Sequence, residues 1–242
     1  MAFLNVYDDA ARAAAYSQLD FPGTYYLAFR DLPEILFRHI VGRKALDFGC
    51  GAGRSTRFLK RLGYEAVGLD ISASMIQLAR AADPQGTYVQ AESGDFTEVG
   101  GPFDLVLSAF AFDNIPGQSQ RRELLVALRK LLSSVGRIVM LGSTPEIYGH
   151  EWAAFTTAPF PENAIARSGE PVHIIMKDVP DARPVVDLIW FEADYRRLFA
   201  AAGFEIAEQH HPLGRAEEPY PWVSETTIAP WVIYVIRPRL TY

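Results

Sequence analysis

The sequence predicts a doubly wound α/β fold, in which helices cover both faces of a mostly parallel sheet. Two observations lead to this fold class. Short apolar segments with strand character alternate with helical segments along most of the 242 residues, and a cluster of glycines follows the first strand segment directly. Strands separated by helices of this length pair in parallel through right-handed crossovers. We therefore expect a ligand at the carboxyl ends of the strands, where the glycines lie.

The strand and helix segments follow one another in regular order. Apolar runs bounded by turn residues predict strands, and apolar residues at helical spacing predict helices. The predicted strands are 44–48, 65–69, 87–91, 103–108, 137–141, 204–208 and 231–236. The predicted helices are 8–17, 26–40, 55–62, 120–132, 191–202 and a segment that begins at Ser72 or Ser74 and ends at Ala82.

Two segments depart from this alternation. Residues 1–42 have helical patterns and few strand signals, and we interpret them as an N-terminal helical cap. Residues 143–190 contain six prolines and many aromatic residues. This segment is too long for an ordinary connection, and such segments in compact domains are usually lids or binding loops. We therefore predict one domain over 1–242, with a core at 43–142 and a last helix and two strands within 191–242.

Composition and charge narrow the classes of partner. The net charge is −6, from 23 Lys and Arg against 29 Asp and Glu, whereas nucleic-acid-binding proteins usually carry a basic patch. No apolar run approaches the roughly 20 residues that span a bilayer, and no export signal is visible at the start. Cys50 is the only cysteine, as suits a reducing compartment. We expect a cytoplasmic protein that binds neither nucleic acid nor membranes.

The glycine cluster carries the most specific chemical signal. Asp47 lies at the end of the first strand, and Gly49, Gly51 and Gly53 follow at alternate positions. Glycines at such positions let the backbone turn tightly and approach a ligand closely. A dinucleotide site requires the spacing Gly-x-Gly-x-x-Gly, but the sixth position counted from Gly49 is Arg54. The spacing therefore disfavours a nicotinamide cofactor.

The spacing Asp-x-Gly-x-Gly-x-Gly resembles motif I of the class I S-adenosylmethionine-dependent methyltransferases that act on small molecules. Further landmarks of that family follow in order, namely Asp70 after the second strand, Gly94-Asp95-Phe96 after the third, and the strands at 103–108 and 136–140. The resemblance covers residues 40–142 closely and 190–238 in outline. It implies a Rossmann-like, seven-stranded sheet with an antiparallel last strand. It also implies S-adenosylmethionine as cofactor and S-adenosylhomocysteine as product. Neither the histidines nor Cys50 show metal-ligand spacing, so we expect no metal.

The resemblance also implies roles for single residues. Asp47 is expected to meet the cofactor's ammonium group, backbone N–H groups around Gly49 and Gly51 its carboxylate, and Asp70 its ribose hydroxyls. Arg30 is expected to bind the methionine carboxylate, whereas Tyr25 and the other tyrosines of this segment either cover the cofactor or merely pack on the sheet. Cys50 is interpreted as a small buried side chain rather than a nucleophile. The expected cofactor-binding residues are Asp47, Gly49, Cys50, Gly51, Gly53, Asp70, Ile71, Asp95, Phe96, Ser108, Tyr25 and Arg30.

The segment 109–116 follows the fourth strand, where members of this family place residues near the transferred methyl group. Phe110 and Phe112 are expected to wall the acceptor pocket. Asp113 and Asn114 either orient a polar acceptor as catalytic residues or cap the next helix. The family's Asn-Pro-Pro-Tyr pattern, which marks methylation of nucleobases and glutamine, is absent. The acceptor is therefore expected to be a small molecule.

The inserted segment supplies the remaining candidates. Methyl transfer from a sulfonium depends mainly on alignment of the reactants, and a base is needed only where the acceptor atom carries a proton. His150 is the candidate general base, and Tyr148 and Trp152 are candidate acceptor-binding residues. We expect methylation of N, O or C in a flat or partly apolar metabolite. The alternatives are non-methyl chemistry with the same cofactor, and a non-catalytic protein that binds S-adenosylmethionine or S-adenosylhomocysteine.

Overall fold

A computed structural model describes residues 23–91, 96–179 and 181–239 of the chain. The helices are α1 Thr24–Arg30, α2 Leu32–His39, α3 Arg54–Arg61, α4 Ala73–Ala82, α5 Gln118–Lys130 and α6 Glu192–Ala201. The strands are β1 Lys44–Phe48, β2 Glu65–Asp70, β3 Thr87–Gln90, β4 Phe103–Ala109, β5 Leu132–Ser143, β6 Phe155–Thr156, β7 Pro171–Met176, β8 Val185–Leu188, β9 Phe204–His210 and β10 Trp231–Pro238. The helix expected at 8–17 and the predicted site residue Asp95 lie outside the described residues.

Seven strands form the main sheet in the order β3-β2-β1-β4-β5-β10-β9. The five neighbouring strands β3, β2, β1, β4 and β5 pair in parallel. Strand β10 pairs antiparallel with both β5 and β9. The predicted doubly wound fold and its antiparallel last strand are therefore confirmed. The strand order reverses between β1 and β4, and such a reversal opens a crevice at the carboxyl ends of the strands.

The sheet is buried on both faces, which explains why its central strands are apolar at nearly every position. Six consecutive residues of β10, from Trp231 to Ile236, are buried. One apolar cluster includes residues of α1, α2 and the inserted segment, and a second includes residues of α5 and α6. The two clusters meet the sheet from its two sides, and segments that leave the carboxyl ends of the strands can point into either.

Two element boundaries differ from those predicted. The segment expected as one helix over 26–40 forms two helices, with Asp31 between them. Pro33 stands in the first turn of α2 and has no N–H to continue the hydrogen bonding of α1, so the helix restarts there. Strand β5 begins at Leu132, five residues before the predicted start, and α5 accordingly ends at Lys130.

The inserted segment is more regular than its sequence suggested. Strands β6, β7 and β8 form a separate antiparallel sheet, with Phe155 opposite Met176 and Val172 opposite Asp187. In β7, Val172, Ile174 and Met176 are buried in the same apolar cluster as α1. Their alternation with less buried residues is the usual pattern of a strand that covers a core.

The described helices are short. The longest, α5, has 13 residues, and across the described ranges no helix has the length and apolar character required to cross a membrane.

Candidate active site

Asp47 lies near the carboxyl end of β1 and is fully buried. Its Oδ2 accepts hydrogen bonds from Ser55 Oγ at 2.7 Å and Thr56 Oγ1 at 2.5 Å, both from the start of α3. Within the described part of the chain its Oδ1 has no hydrogen-bond partner. Burial raises the pKa of Asp47 to about 6, although the two hydroxyls oppose the shift. One oxygen of this carboxylate is therefore available to a cation or a donor.

The glycines of the loop after β1 differ in what surrounds them. A Cβ on Gly49 would lie 2.2 Å from the Cβ of Ala111, so this glycine lets the loop pack against the segment that follows β4. A Cβ on Gly51 would meet only Met75 Sδ, at 3.9 Å, among the described atoms. Both glycines have positive φ, of 71° and 52°. The open side of the loop is therefore at Gly51.

Gly53 and Cys50 serve packing instead. A Cβ on Gly53 would lie 2.7 Å from the Tyr88 hydroxyl. Cys50 is buried, as expected, and burial raises the pKa of its thiol well above the ordinary range. A buried, protonated thiol is a poor nucleophile.

The backbone N–H groups of Gly49, Cys50 and Gly51 are already engaged. Gly49 and Cys50 both donate to the carbonyl of Leu69, at 2.8 and 3.0 Å, and Gly51 donates to Asp70 Oδ2 at 2.8 Å. The expectation that N–H groups at Gly49 and Gly51 bind a ligand carboxylate is therefore wrong for this arrangement, because these groups fasten the loop to β2.

The end of β2 forms the second wall of the crevice. Asp70 is half-buried, and its Oδ1 accepts from the N–H of Ser72 at 2.8 Å. Ile71, next to it, is 43% exposed, which is unusual for an isoleucine at the edge of a core. Beyond it, Phe96 lies edge-on to Phe48, with 6.3 Å between the ring centroids. An acidic group and an apolar surface thus stand side by side.

Phe110 belongs to an aromatic cluster formed by Tyr25, Phe110, Phe155 and Trp231. Its ring centroid lies 4.7 Å from that of Trp231 and 5.6 Å from that of Tyr25. Phe110 has a φ of 61°, a conformation that non-glycine residues rarely adopt. Because the next residue, Ala111, packs on Gly49, the aromatic cluster adjoins the loop after β1.

Phe112 and Asp113 do not have the predicted roles. Phe112 is 2% exposed and packs in the other apolar cluster, on the side of α5 and α6, so it cannot wall the same pocket as Phe110. Asp113 is buried and accepts from the Ser143 N–H at 2.7 Å and from the Tyr195 hydroxyl. The helix α5 is capped by Gly117 instead. Asp113 therefore joins β4, β5 and α6 and orients no acceptor.

Two predicted acceptor-binding residues are also core residues. Trp152 is fully buried and donates from Nε1 to the carbonyl of Ile147 at 2.8 Å, and Tyr148 is 3% exposed. These side chains have no surface to offer, and the expectation is wrong for both. His150 is exposed, with its ring 6.2 Å from that of Trp152. Its role as a general base stays a prediction.

Arg30 donates to partners outside the loop after β1. Its guanidinium donates to Asp31 at 2.7 Å, to Glu218 at 2.7 Å and to the Leu213 carbonyl at 3.0 Å. Four of its five N–H groups are engaged in this way, which contradicts the expected grip on a methionine carboxylate.

Comparisons with known proteins agree with this geometry. A methyltransferase-domain family model matches residues 45–136. N-demethylindolmycin N-methyltransferase from Streptomyces griseus is 27% identical, over 85% of this chain and 87% of that protein. Trans-aconitate 2-methyltransferase from Rhizobium etli is also 27% identical, over 83% of this chain and 74% of that protein. These similarities support a class I S-adenosylmethionine-dependent methyltransferase.

Solved structures share the fold of this methyltransferase. The CcbJ methyltransferase from Streptomyces caelestis has a TM-score of 0.64 at 18% identity, covering 94% of this chain and 96% of that chain. The glycopeptide N-methyltransferase MtfA, complexed with S-adenosylmethionine, has a TM-score of 0.61 at 16% identity, covering 92% and 91%.

The crevice of the methyltransferase fits a cationic adenosyl ligand. Two polar atoms buried at the ends of adjacent strands, Asp47 Oδ1 and Ser108 Oγ, have no hydrogen-bond partner among the described residues. Buried polar atoms are normally satisfied, so these two indicate a ligand. Asp47 and Asp70 supply negative charge to match a ligand that carries a sulfonium and an ammonium group. The residues present therefore fit S-adenosylmethionine.

One polar residue of the methyltransferase was missed by the sequence reasoning. Asp187, in β8, accepts from the Tyr148 hydroxyl at 3.3 Å, and the Asn114 side chain interacts with the same carboxylate. Burial and the nearby charge of Asp113 raise the pKa of Asp187 to about 6. The only sequence signal was a single acid within the apolar run Val185–Leu188.

Proposed function

We propose that this methyltransferase transfers the methyl group of S-adenosylmethionine to N, O or C of a small molecule. The observation that carries the proposal is the pair of carboxylates, Asp47 and Asp70, at the ends of adjacent strands beside the open side of Gly51. When bound, the cofactor supplies an electrophilic methyl group on a sulfonium. The net charge of −6 supports an acceptor other than nucleic acid, and the single cysteine supports a cytoplasmic location.

Each wall of the crevice has a part in cofactor binding. The remaining oxygen of Asp47 takes the ammonium group, directly or through water. Asp70 accepts the ribose hydroxyls in addition to the backbone N–H groups, since a carboxylate has about four acceptor sites. The exposed side chain of Ile71 packs on one face of the adenine, with the N–H of Phe96 at its edge. Asp95, outside the described residues, stays a predicted adenine contact. Ser108 faces the crevice from β4.

The acceptor lies on the side of the aromatic cluster. Phe110, which is half-buried, brings flat apolar surface to the crevice with the buried ring of Tyr25 packed against it, and the sheet β6-β7-β8 covers this region as a lid. Two relatives act on small molecules, N-demethylindolmycin and trans-aconitate, as their names state. Both compounds are therefore the first acceptors to test.

Calorimetric titration with S-adenosylmethionine, S-adenosylhomocysteine and NADH tests the cofactor site. We expect micromolar binding of both adenosyl ligands and none of NADH. Asp70→Ala should weaken adenosyl binding at least about tenfold, or about 1.4 kcal/mol, because the ribose loses a bidentate partner. Glu65→Ala, at the opposite end of β2, is the matched control and should bind normally. No binding of adenosyl ligands to the unchanged protein would contradict the proposal.

Mass spectrometry of reactions with each acceptor tests the transfer itself. A methylated product that requires both the protein and S-adenosylmethionine supports the proposal. Normal cofactor binding with no methylation of any acceptor in a broad metabolite panel contradicts enzymatic methyl transfer and leaves only a binding function.

A further inference from the structure

We propose that Asp187 is the general base of this methyltransferase, and that the acceptor carries an N–H or O–H at the atom that is methylated. The inference rests on the proposed function and extends it to the proton-transfer group and the acceptor class.

The direction of Asp187 follows from its place in the inserted sheet. Asp187 stands opposite Val172 in the antiparallel pair of β8 and β7, so the two side chains share a face. Val172 is fully buried in the apolar cluster that includes α1. Asp187 therefore faces inward, whereas His173, which pairs with Val186, lies on the other face of the sheet.

Asp187 meets the segment that follows β4 on this inner face. Its carboxylate interacts with the Asn114 side chain and accepts from the Tyr148 hydroxyl at 3.3 Å. Asn114 belongs to the short turn Phe112–Asn114, which begins two residues after Phe110 of the aromatic cluster. A carboxylate of the inserted sheet is thus held next to the segment that leaves the carboxyl end of β4.

The groups around Asp187 suit a proton acceptor at neutral pH. Asp113 faces it from the turn after β4, with Tyr195 of α6 bound to Asp113 and Arg121 of α5 behind them. Burial and the charge of Asp113 raise the pKa of Asp187 to about 6, while Tyr148 and Asn114 oppose the shift. Such a carboxylate is mostly ionised at pH 7 and more basic than an exposed one, as a general base requires.

The proposed step balances without a further reactant. The lone pair of the acceptor nitrogen or oxygen forms the new bond to the methyl carbon. The bond from that carbon to sulfur breaks, and its electron pair stays on sulfur. The proton of the acceptor atom passes to Asp187 and then to solvent, which restores the carboxylate.

The same geometry selects between acceptor classes. A carboxylate acceptor such as trans-aconitate has no proton to give up at neutral pH, and two neighbouring acids, Asp113 and Asp187, would repel it. An acceptor with a neutral N–H or O–H gains a hydrogen bond to Asp187 instead. Of the two compounds named above, the geometry therefore favours N-demethylindolmycin.

Steady-state kinetics between pH 5 and 8, with N-demethylindolmycin and trans-aconitate as probes, tests the base. We expect kcat of the unchanged enzyme on N-demethylindolmycin to rise with pH through about 6. Asp187→Asn should lower kcat by about a hundredfold or more with little change in KM, and should remove this dependence. Asp187→Glu should restore part of the rate. Asp181→Asn, an acid-to-amide change in the β7–β8 connection, is the control and should behave normally.

Infrared titration of the protein without an acceptor gives a second readout. The carbonyl band of a protonated carboxyl should appear below pH 6, and subtraction of the Asp187→Asn spectrum should isolate it from that of Asp47. The proposal is overturned if the difference spectrum contains no such band, even where neither probe is methylated. A band that appears below pH 6 supports the proposal.

The outcomes separate the inference from the proposed function. Normal turnover by Asp187→Asn overturns the inference and leaves methyl transfer intact. Methylation of trans-aconitate but not N-demethylindolmycin overturns the acceptor class in the same way. Unchanged S-adenosylhomocysteine binding by Asp187→Asn shows that the variant is folded, so that a lost rate reports on the base.

Discussion

Thr24 donates a 2.6 Å hydrogen bond from its hydroxyl to Glu225, which lies 201 residues further along the chain. Glu225 is fully buried and also accepts from the N–H groups of Ala153 and Val223, at 2.7 and 2.8 Å. One carboxylate thereby fastens α1, the inserted segment and the β9–β10 loop to one another. These are the three parts of the chain that surround the aromatic cluster.

We expect Glu225→Ala to lower the free energy of unfolding by about 3 kcal/mol, because it leaves several buried donors without an acceptor. Thr24→Val should cost less, about 1 kcal/mol, since only one hydrogen bond is lost. Urea denaturation measures both. Glu217→Ala, an exposed acid in the same loop, should leave the midpoint unchanged. Equal midpoints for Glu225→Ala and Glu217→Ala would refute the bridging role.

The affinity for S-adenosylmethionine should depend on pH. Burial raises the pKa of Asp47 to about 6, and a cationic ligand requires the ionised form. Affinity should therefore increase about tenfold from pH 5 to pH 7 as the carboxylate ionises. Calorimetry at both pH values checks this. In Asp47→Asn the affinity should be lower and nearly independent of pH, and an unaltered pH dependence would exclude Asp47 as its source.

The stability of the ligand-free protein should have the opposite dependence on pH and should decrease as pH rises. The pKa of Asp47 is higher in the folded chain than in the unfolded one, so its contribution is fully present below about pH 4 and is lost as pH rises through about 6. The loss is on the order of 3 kcal/mol. Urea denaturation should show a smaller decrease over this range for Asp47→Asn. A decrease as large as in the unchanged protein would assign it to other buried acids, such as Asp113 and Asp187.

Substitutions of Phe110 and Phe112 should differ in their effects on stability and on acceptor binding. Phe112 is buried against α5 and α6, so Phe112→Ala should cost about 3 kcal/mol of unfolding free energy. Phe110 is half-buried in the aromatic cluster, so Phe110→Ala should cost less but raise the KM for the acceptor. Urea denaturation and steady-state kinetics measure the two effects. A larger change in KM for Phe112→Ala, corrected for folded fraction, would reverse the assignment.

Arg30→Met should leave cofactor affinity within about twofold of normal and reduce stability by about 1 kcal/mol. The guanidinium holds the pKa of Asp31 at about 2, against the desolvation that burial imposes. Much of that stabilisation is absent in the variant, and the unfolding free energy should depend less on pH between about 4 and 2. Calorimetry and acid denaturation test the two parts. A large loss of cofactor affinity in this variant would show that Arg30 contributes to the cofactor site.

The parts of the fold that depend on neighbouring residues were predictable from sequence. Asp47 and the three glycines lie within a span of seven residues. The strand segments are recognised by local apolar patterns. Parallel pairing followed from the helices that separate the strands, whereas the order of the strands in the sheet came only from the structure.

The side-chain contacts depended on positions far apart in sequence, and local patterns could not supply them. Arg30 is paired with Glu218, 188 residues away. Phe110 and Phe112 enter different apolar clusters, because the backbone takes an unusual conformation, with a φ of 61°, at Phe110. Asp187 reaches Asn114 only through the inserted sheet.

The acids at the ends of β1 and β2 also bear on product release. S-adenosylhomocysteine has lost the positive charge of the sulfonium, so in the proposed cofactor site Asp47 and Asp70 would attract it less than S-adenosylmethionine. Because Asp47 is fully buried, salt should screen this difference only weakly. The crevice therefore favours exchange of spent for fresh methyl donor.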